Sequence, residues 1–212
     1  MKNESNSAGD PTPVKILILN GALSGKDGNT SLFLAQLSGL LRANGAQVAI
    51  RHLVQDKSPG RDELSEYQGF VFASGTYWDS WSSALQNFFE TSTPLEGDAC
   101  WFGKPAAVIV TMHSVGGKGI LSRLQGVLNS FGLFVPPMSA MVYSLVNKLA
   151  AEAAITSGSR HADDMWGPED LATIAFNLTT AARQQFKAKV NYRSWPVDRD
   201  DPKRVWLQDD ST

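Results

Sequence analysis

Only one cysteine, Cys100, occurs in 212 residues. That excludes an internal disulfide and any paired-thiol metal or redox motif, and it points to a reducing, cytoplasmic setting. The lone thiol reads as either a reactive group or a packed one. Charge is sparse too. Asp, Glu, Lys and Arg make up 19% of the chain and the net charge is -2, so no electrostatic feature favours nucleic acid or an acidic membrane surface. No apolar run approaches the roughly 20 residues that a membrane-spanning helix needs, and no membrane insertion is expected. Residues 1–13 are polar, lack the apolar centre of a signal peptide and are expected to be disordered. His52, His113 and His161 have no clustered partners in the sequence, so no metal site is expected.

What the chain does have is a regular alternation of apolar runs and helical patterns. Hydrophobic residues reach 42%, enough for one substantial core. Strands are expected at Val14–Leu19, Ala46–Val54, Gly69–Ser74 and Ala106–Val110, the second more alternating and hence nearer a sheet edge. Between them three sets recur at helical spacing: Phe33, Leu37, Leu40 and Leu41; Trp81, Leu85, Phe88 and Phe89; then Leu121, Leu124, Val127, Leu128 and Phe131. A short acidic helix follows Pro59-Gly60. A fifth strand is expected to begin at Leu133-Phe134-Val135, to be interrupted by Pro136-Pro137, and to resume over Ser139–Ser144. Residues 147–166 read as a short helix plus an exposed loop. Pro168, Glu169 and Asp170 then suit the first turn of a last helix whose Leu171, Ile174, Ala175, Leu178 and Ala182 face a core. Strand–helix repetition with right-handed crossovers gives an α/β class, a flavodoxin-like three-layer α/β/α sandwich on a five-stranded parallel sheet of order 2-1-3-4-5. Residues 14–189 are assigned to this domain. Residues 190–212, with Trp195 and Trp206 among charges, form a C-terminal tail.

In such sheets ligands bind beyond the carboxyl ends of the strands, where the strand order reverses. That rule selects three loops. The first, Asn20-Gly21-Ala22-Leu23-Ser24-Gly25-Lys26-Asp27-Gly28-Asn29-Thr30-Ser31, brings small and hydroxyl residues to a helix N-terminus, where unpaired N–H groups and the dipole attract an anion. It is not a P-loop: three residues, not four, separate Gly21 from Gly25-Lys26, and Asp27 stands where Ser or Thr would meet magnesium. Nor does the glycine spacing make a dinucleotide fingerprint. A cradle of Ser24, Asn29, Thr30 and Ser31 suits a single phosphomonoester; the plainer alternative is that Asn29, Thr30 and Ser31 only cap the helix. The second loop, Gly75-Thr76-Tyr77-Trp78-Asp79, carries large aromatics that a flat ligand would cover. The third, Thr111-Met112-His113-Ser114-Val115-Gly116-Gly117, permits close backbone approach and offers amides to a ring carbonyl. One phosphate beside one flat polar ring is FMN in outline.

The same loops, together with Leu85–Glu90, Gly103-Lys104-Pro105 and Trp166–Asp170, resemble the NAD(P)H-dependent FMN reductase and quinone reductase family. On that resemblance Ser24, Asn29, Thr30 and Ser31 would hold the phosphate. Gly75, Thr76, Tyr77, Trp78 and Asp79 would border the isoalloxazine ring. Thr111, His113, Gly116 and Gly117 would line its pyrimidine end, with His113 either a proton source or a strand-end residue facing water. Two positions depart from the pattern: Gly75 stands where relatives carry Pro, and Gln86 where they carry Lys. The family implies FMN as cofactor, NADPH or NADH as electron donor, a quinone, free flavin or similar small acceptor, and a homodimer or homotetramer whose neighbouring subunit completes the ring pocket. Two other functions are compatible with the fold. A flavodoxin-type electron carrier would rely on a strongly acidic face, which the modest net charge does not supply; a flavin-free interaction or regulatory protein is the other.

Overall fold

The computed structural model describes residues 13–156, 166–188 and 192–194. In β1 (Lys15–Asn20), Ile16 and Ile18 face one side of the sheet and Leu17 and Leu19 the other, all fully buried. This period of two decides the layering. β2 (Gln47–His52), β3 (Gly69–Gly75), β4 (Ala106–Met112) and β5 (Ala140–Ser144) follow. Among the described residues these five strands pair in parallel, in the order β2-β1-β3-β4-β5. The half-buried β2 is an edge strand, as its alternating sequence requires.

The described α-helices are α1 (Asn29–Ala43), α2 (Arg61–Ser65), α3 (Ser83–Ser92), α4 (Gly117–Phe131), α5 (Leu145–Thr156) and α6 (Leu171–Ala188). α1 and α6 cover the Ile16/Ile18 face through Leu34, Leu37, Leu41, Leu171, Ile174 and Leu178. α2, α3 and α4 cover the Leu17/Leu19 face through Leu64, Leu85, Phe88, Leu121, Leu124 and Leu128, around Phe70, Phe72 and the fully buried Trp101. The inner face of α1 differs from the sequence reading by a few residues. Leu34 is buried there, whereas Phe33 and Leu40 are only partly covered.

The fifth strand also differs. Its expected start, Leu133 to Val135, contributes one isolated parallel bridge, Pro105 to Phe134, and regular pairing begins only at Ala140. Pro136 and Pro137 have no N–H to donate, and Met138 at φ 52 turns the chain before it can rejoin the sheet. The segment after Ser144 holds a longer helix than expected, α5, running to Thr156. The rest of its expected loop, with His161, lies outside the described residues, as do residues 1–12, Trp195 and Trp206. Of the tail, Tyr192 packs edge-on against Phe102 at 6.4 Å between ring centres. No described helix is long and apolar enough to cross a membrane.

The sheet's amino-terminal end carries a polar cluster remote from the loops beyond its carboxyl end. The nearly buried Asp98 pairs with Arg61 at 3.0 Å and accepts from the Cys100 N–H at 2.9 Å. Burial, reinforced by Asp98, pushes the Cys100 thiol up to about 12. The cysteine is therefore a packed thiol and not a reactive one. Burial brings Lys104 down to about 8; its ammonium reaches the Leu64 and Ser65 carbonyls at 3.5 and 3.4 Å and lies over the Phe70 ring.

Candidate functional site

A crevice of about 390 Å³ opens beyond the carboxyl ends of β1, β3, β4 and β5. That size falls within the range of small-ligand pockets. Three loops and the junction of β5 with α5 wall it: Ala22, Ser24, Gly28, Asn29, Thr30, Leu32 and Phe33; Gly75, Thr76 and Tyr77; Thr111, Met112 and His113; Tyr143 and Leu145. The three loops selected from the sequence therefore meet at one cavity.

The first loop is organised from below by a residue that the sequence reading did not single out. Asn20 is fully buried at the end of β1. Its side-chain amide donates to the Gly25 carbonyl at 3.1 Å and to the Ser31 hydroxyl at 2.9 Å, and faces His52 Nδ1 at 3.0 Å. Its carbonyl oxygen accepts from the Ala22 N–H at 3.0 Å. The parallel register sets Asn20 beside His52, which explains why a histidine read as isolated belongs to this network. Ser31 donates to the Gly25 carbonyl at 2.6 Å, so its hydroxyl shapes the loop and lies outside the crevice wall. α1 starts from Gly28 as N-cap with no side-chain cap. Asn29, Thr30 and Ser31 are helical residues rather than the N-cap, and Gly28, Asn29 and Thr30 set the start of α1 on the crevice wall beside Ser24.

Across the crevice, the Thr30 and Thr111 hydroxyls share a 2.7 Å hydrogen bond, and Thr76 donates to the Thr111 carbonyl at 3.2 Å. Tyr77 accepts from the Leu23 N–H at 2.8 Å, tying the second loop to the first. To reach it, the phenol crosses Gly75, where a Cβ would lie 3.0 Å from the hydroxyl and 3.2 Å from the ring. A proline would crowd that path, so Gly75 and the Tyr77 position go together. Ser82 caps α3 by accepting from the Leu85 N–H at 3.1 Å, and its hydroxyl donates to the Gly21 carbonyl.

Trp78 and Asp79 stand outside the wall. They are the central residues of a tight turn in which Tyr77 and Ser80 exchange hydrogen bonds of 2.8 and 3.0 Å. Their φ values are 50° and 56°, a left-handed geometry that costs non-glycine residues on the order of 1–3 kcal/mol each. The Trp78 side chain is fully exposed. Gly116 and Gly117 also lie off the wall. Gly116, at φ 88°, leaves room for the Asp79 carboxylate, and a Cβ on Gly117 would come 2.3 Å from Val142. The Gly117 amide donates to the Met112 sulfur at 3.3 Å. His113 is an exposed wall residue whose carbonyl accepts from the Val146 N–H and the Ser144 hydroxyl. Phe33 and Tyr143, with ring centres 4.3 Å apart, form a wall that only the strand order reveals. Gln86, the second departure, accepts from the Trp81 indole N–H at 2.7 Å and donates to Glu90 at 2.8 Å.

The solved structures most like this fold include RosB with a bound 8-demethyl-8-formylriboflavin-5'-phosphate intermediate, at TM-score 0.66 and 16% identity over 84% of this chain and 82% of the other. The apo form of an NADH:FMN oxidoreductase matches at TM-score 0.56 and 16% identity, over 81% and 89%. Oxidised flavodoxin 1 from Bacillus cereus matches at 0.54 and 17%, over 79% and 96%. At these identities the likeness establishes the fold alone. In sequence, an NAD(P)H dehydrogenase (quinone) from Chelativorans sp. (strain BNC1) is 35% identical over 80 residues. That match takes in 36% of this chain and spans 40% of the relative's length. The family model for NADPH-dependent FMN reductases matches residues 14–148, the stretch that holds β1 to β5 and every wall of the crevice, and the chain belongs to that family.

Proposed function

We propose that this protein is an oxidoreductase that binds FMN in the crevice, accepts electrons from NADPH or NADH, and passes them to quinones, free flavin or similar small acceptors. The observation that carries the reading is the convergence of an uncapped helix start, two hydroxyl-bearing loops and an aromatic wall on one cavity. Those groups fit FMN chemically: a neutral donor set at one end for a phosphate, a flat-walled space at the other for a ring. Bound FMN would supply the hydride-transfer chemistry, for which the protein needs no nucleophile of its own.

The chain's own residues bind and orient. Ser24, Asn29 and Thr30, with the first amides of α1, hold the phosphate. Ser31 acts behind them by fixing Gly25. Gly75, Thr76 and Tyr77 border the ring, with Trp78 and Asp79 as the turn that aims them. Thr111 and His113 meet the pyrimidine end; Gly116 and Gly117 let α4 begin close to it. His113, at the exposed mouth, is placed to pass a proton to a reduced acceptor. The exposed Leu32 and Leu145 at the cavity rim favour a homodimer or homotetramer that covers them. The sparse charge and single cysteine favour a cytoplasmic protein.

The experiment is steady-state oxidation of NADPH by the FMN-loaded protein with a benzoquinone acceptor. Sustained turnover supports the reductase. Flavin that binds but turns over only once with NADPH would identify an electron carrier, and failure to bind flavin would remove both.

A further inference from the structure

Two adjacent left-handed residues, one of them a tryptophan, hold their geometry only if their surroundings impose it. The surroundings are visible. From α4, Arg123 donates through Nη2 to the Asp79 carbonyl, in the middle of the turn. Its guanidinium lies over the Trp81 ring, with 5.4 Å from Cζ to the ring centre. The Trp81 indole is in turn fixed by Gln86 at 2.7 Å and packs edge-on against Phe89 at 6.2 Å. Gly116 supplies the remaining space, since a Cβ there would meet the Asp79 carboxylate. The chain of contacts runs Gln86, Trp81, Arg123, Asp79, and ends two residues beyond the Tyr77 wall of the crevice.

We propose that Arg123 is a positioning residue: it clamps the Tyr77–Ser80 turn in its strained form and so fixes Tyr77 against Gly75 and the Leu23 amide. Arg123 lines no part of the crevice. Gln86 belongs to the same device, because a lysine at that place has no acceptor for the Trp81 N–H. A lysine at position 123 would also lose the planar stacking that holds the guanidinium in register with the carbonyl. The consequence for FMN rests on the reductase reading; the consequence for the turn does not.

The test uses Arg123→Ala, Arg123→Lys and Gln86→Lys, with hydrogen exchange of the Tyr77 and Ser80 amides followed by NMR in the FMN-free protein. Exchange at those two amides should rise about tenfold or more in Arg123→Ala while Phe72 in β3 is unchanged. Arg123→Lys and Gln86→Lys should give smaller rises in the same two amides. The FMN dissociation constant should rise by a similar factor. Adding Trp78→Asn and Asp79→Gly, which suit a turn of this hand, should restore both quantities in the Arg123→Ala background. Unchanged exchange in Arg123→Ala, or no rescue by the relaxed turn, overturns the clamp. If wild-type protein binds no FMN, the reductase reading falls and the exchange measurements still decide the clamp.

Discussion

Replacing Asn20 by Asp keeps the volume of a fully buried side chain while it exchanges a donor for an acceptor and adds a negative charge. Wild-type Asn20 donates to the Gly25 carbonyl at 3.1 Å and to Ser31 at 2.9 Å while accepting from Ala22 at 3.0 Å. Aspartate retains the Ala22 bond but sets an acceptor-only oxygen against the Gly25 carbonyl. The Gly25 carbonyl keeps the Ser31 hydroxyl at 2.6 Å but loses its second donor and faces a like dipole, a change that costs roughly 1–3 kcal/mol in a buried site. The new negative charge also sits beneath the loop that receives the phosphate, which adds Coulomb repulsion. Together these give an expected loss of FMN affinity of about 2–3 kcal/mol, roughly 30- to 150-fold. Fluorescence titration of FMN into the flavin-free protein measures it, with urea unfolding alongside to record stability. Asn20→Ala removes the donors without adding charge and should weaken FMN less than Asp does. An Asp variant that binds FMN within about threefold of wild type, with an unchanged unfolding midpoint, would refute the role given to Asn20.

Other expectations follow from separate contacts. Gly117→Ala forces a Cβ to 2.3 Å from Val142 and 2.8 Å from the Met112 sulfur, and should destabilise by about 1–3 kcal/mol in chemical unfolding; Val142→Ala in the same chain should recover part of the loss. Asn29→Ala with Thr30→Ala breaks the Thr30–Thr111 bond and removes two phosphate-side groups, so FMN should bind on the order of tenfold more weakly by the same titration. Stability should also depend on pH in a defined window. Lys104 sits near 8 in the fold and at 10.5 when unfolded, so above pH 8 the unfolded state holds the extra proton and stability rises, at up to about 1.4 kcal/mol per pH unit. Cys100 acts oppositely from its unfolded value of 9.0 toward about 12, so the rise should fade above pH 9. Urea unfolding across pH 7 to 11 should show that rise levelling off above pH 9; Cys100→Ala should extend the rise toward 10.5, and Lys104→Met should abolish it.

Much of this architecture is written in local pattern. Strand and helix placement follows from apolar periodicity, so β1, β3, β4 and the faces of α3, α4 and α6 lie where Leu17, Phe72, Val108, Phe88, Leu124 and Leu178 put them. β5 was less legible because its pairing depends on where a double proline lets the chain return, which is a property of the tertiary path. The crevice was readable as three loops at strand ends. Its roles were only partly readable, because hydroxyls serve equally as ligand donors and as loop braces. Ser31 braces Gly25, and the glycines at 116 and 117 are fixed by Asp79 and Val142. His52, Phe33, Tyr143 and Arg123 act through partners far away in sequence, whereas Asn20 acts chiefly on Ala22, Gly25 and Ser31 of its own loop. Asn20 alone carried a local signal: a polar residue closing a strand of five buried positions.

The central claim is that a single phosphate, gripped at the start of α1, anchors a flavin in this crevice. Parallel titrations of the flavin-free protein with FMN and with riboflavin, which differs only in lacking the phosphate, test it most directly. FMN should bind at least about 100-fold more tightly than riboflavin, with the gap narrowing in the Asn29→Ala, Thr30→Ala protein. Equal affinity for the two flavins, or no binding of either, would contradict it.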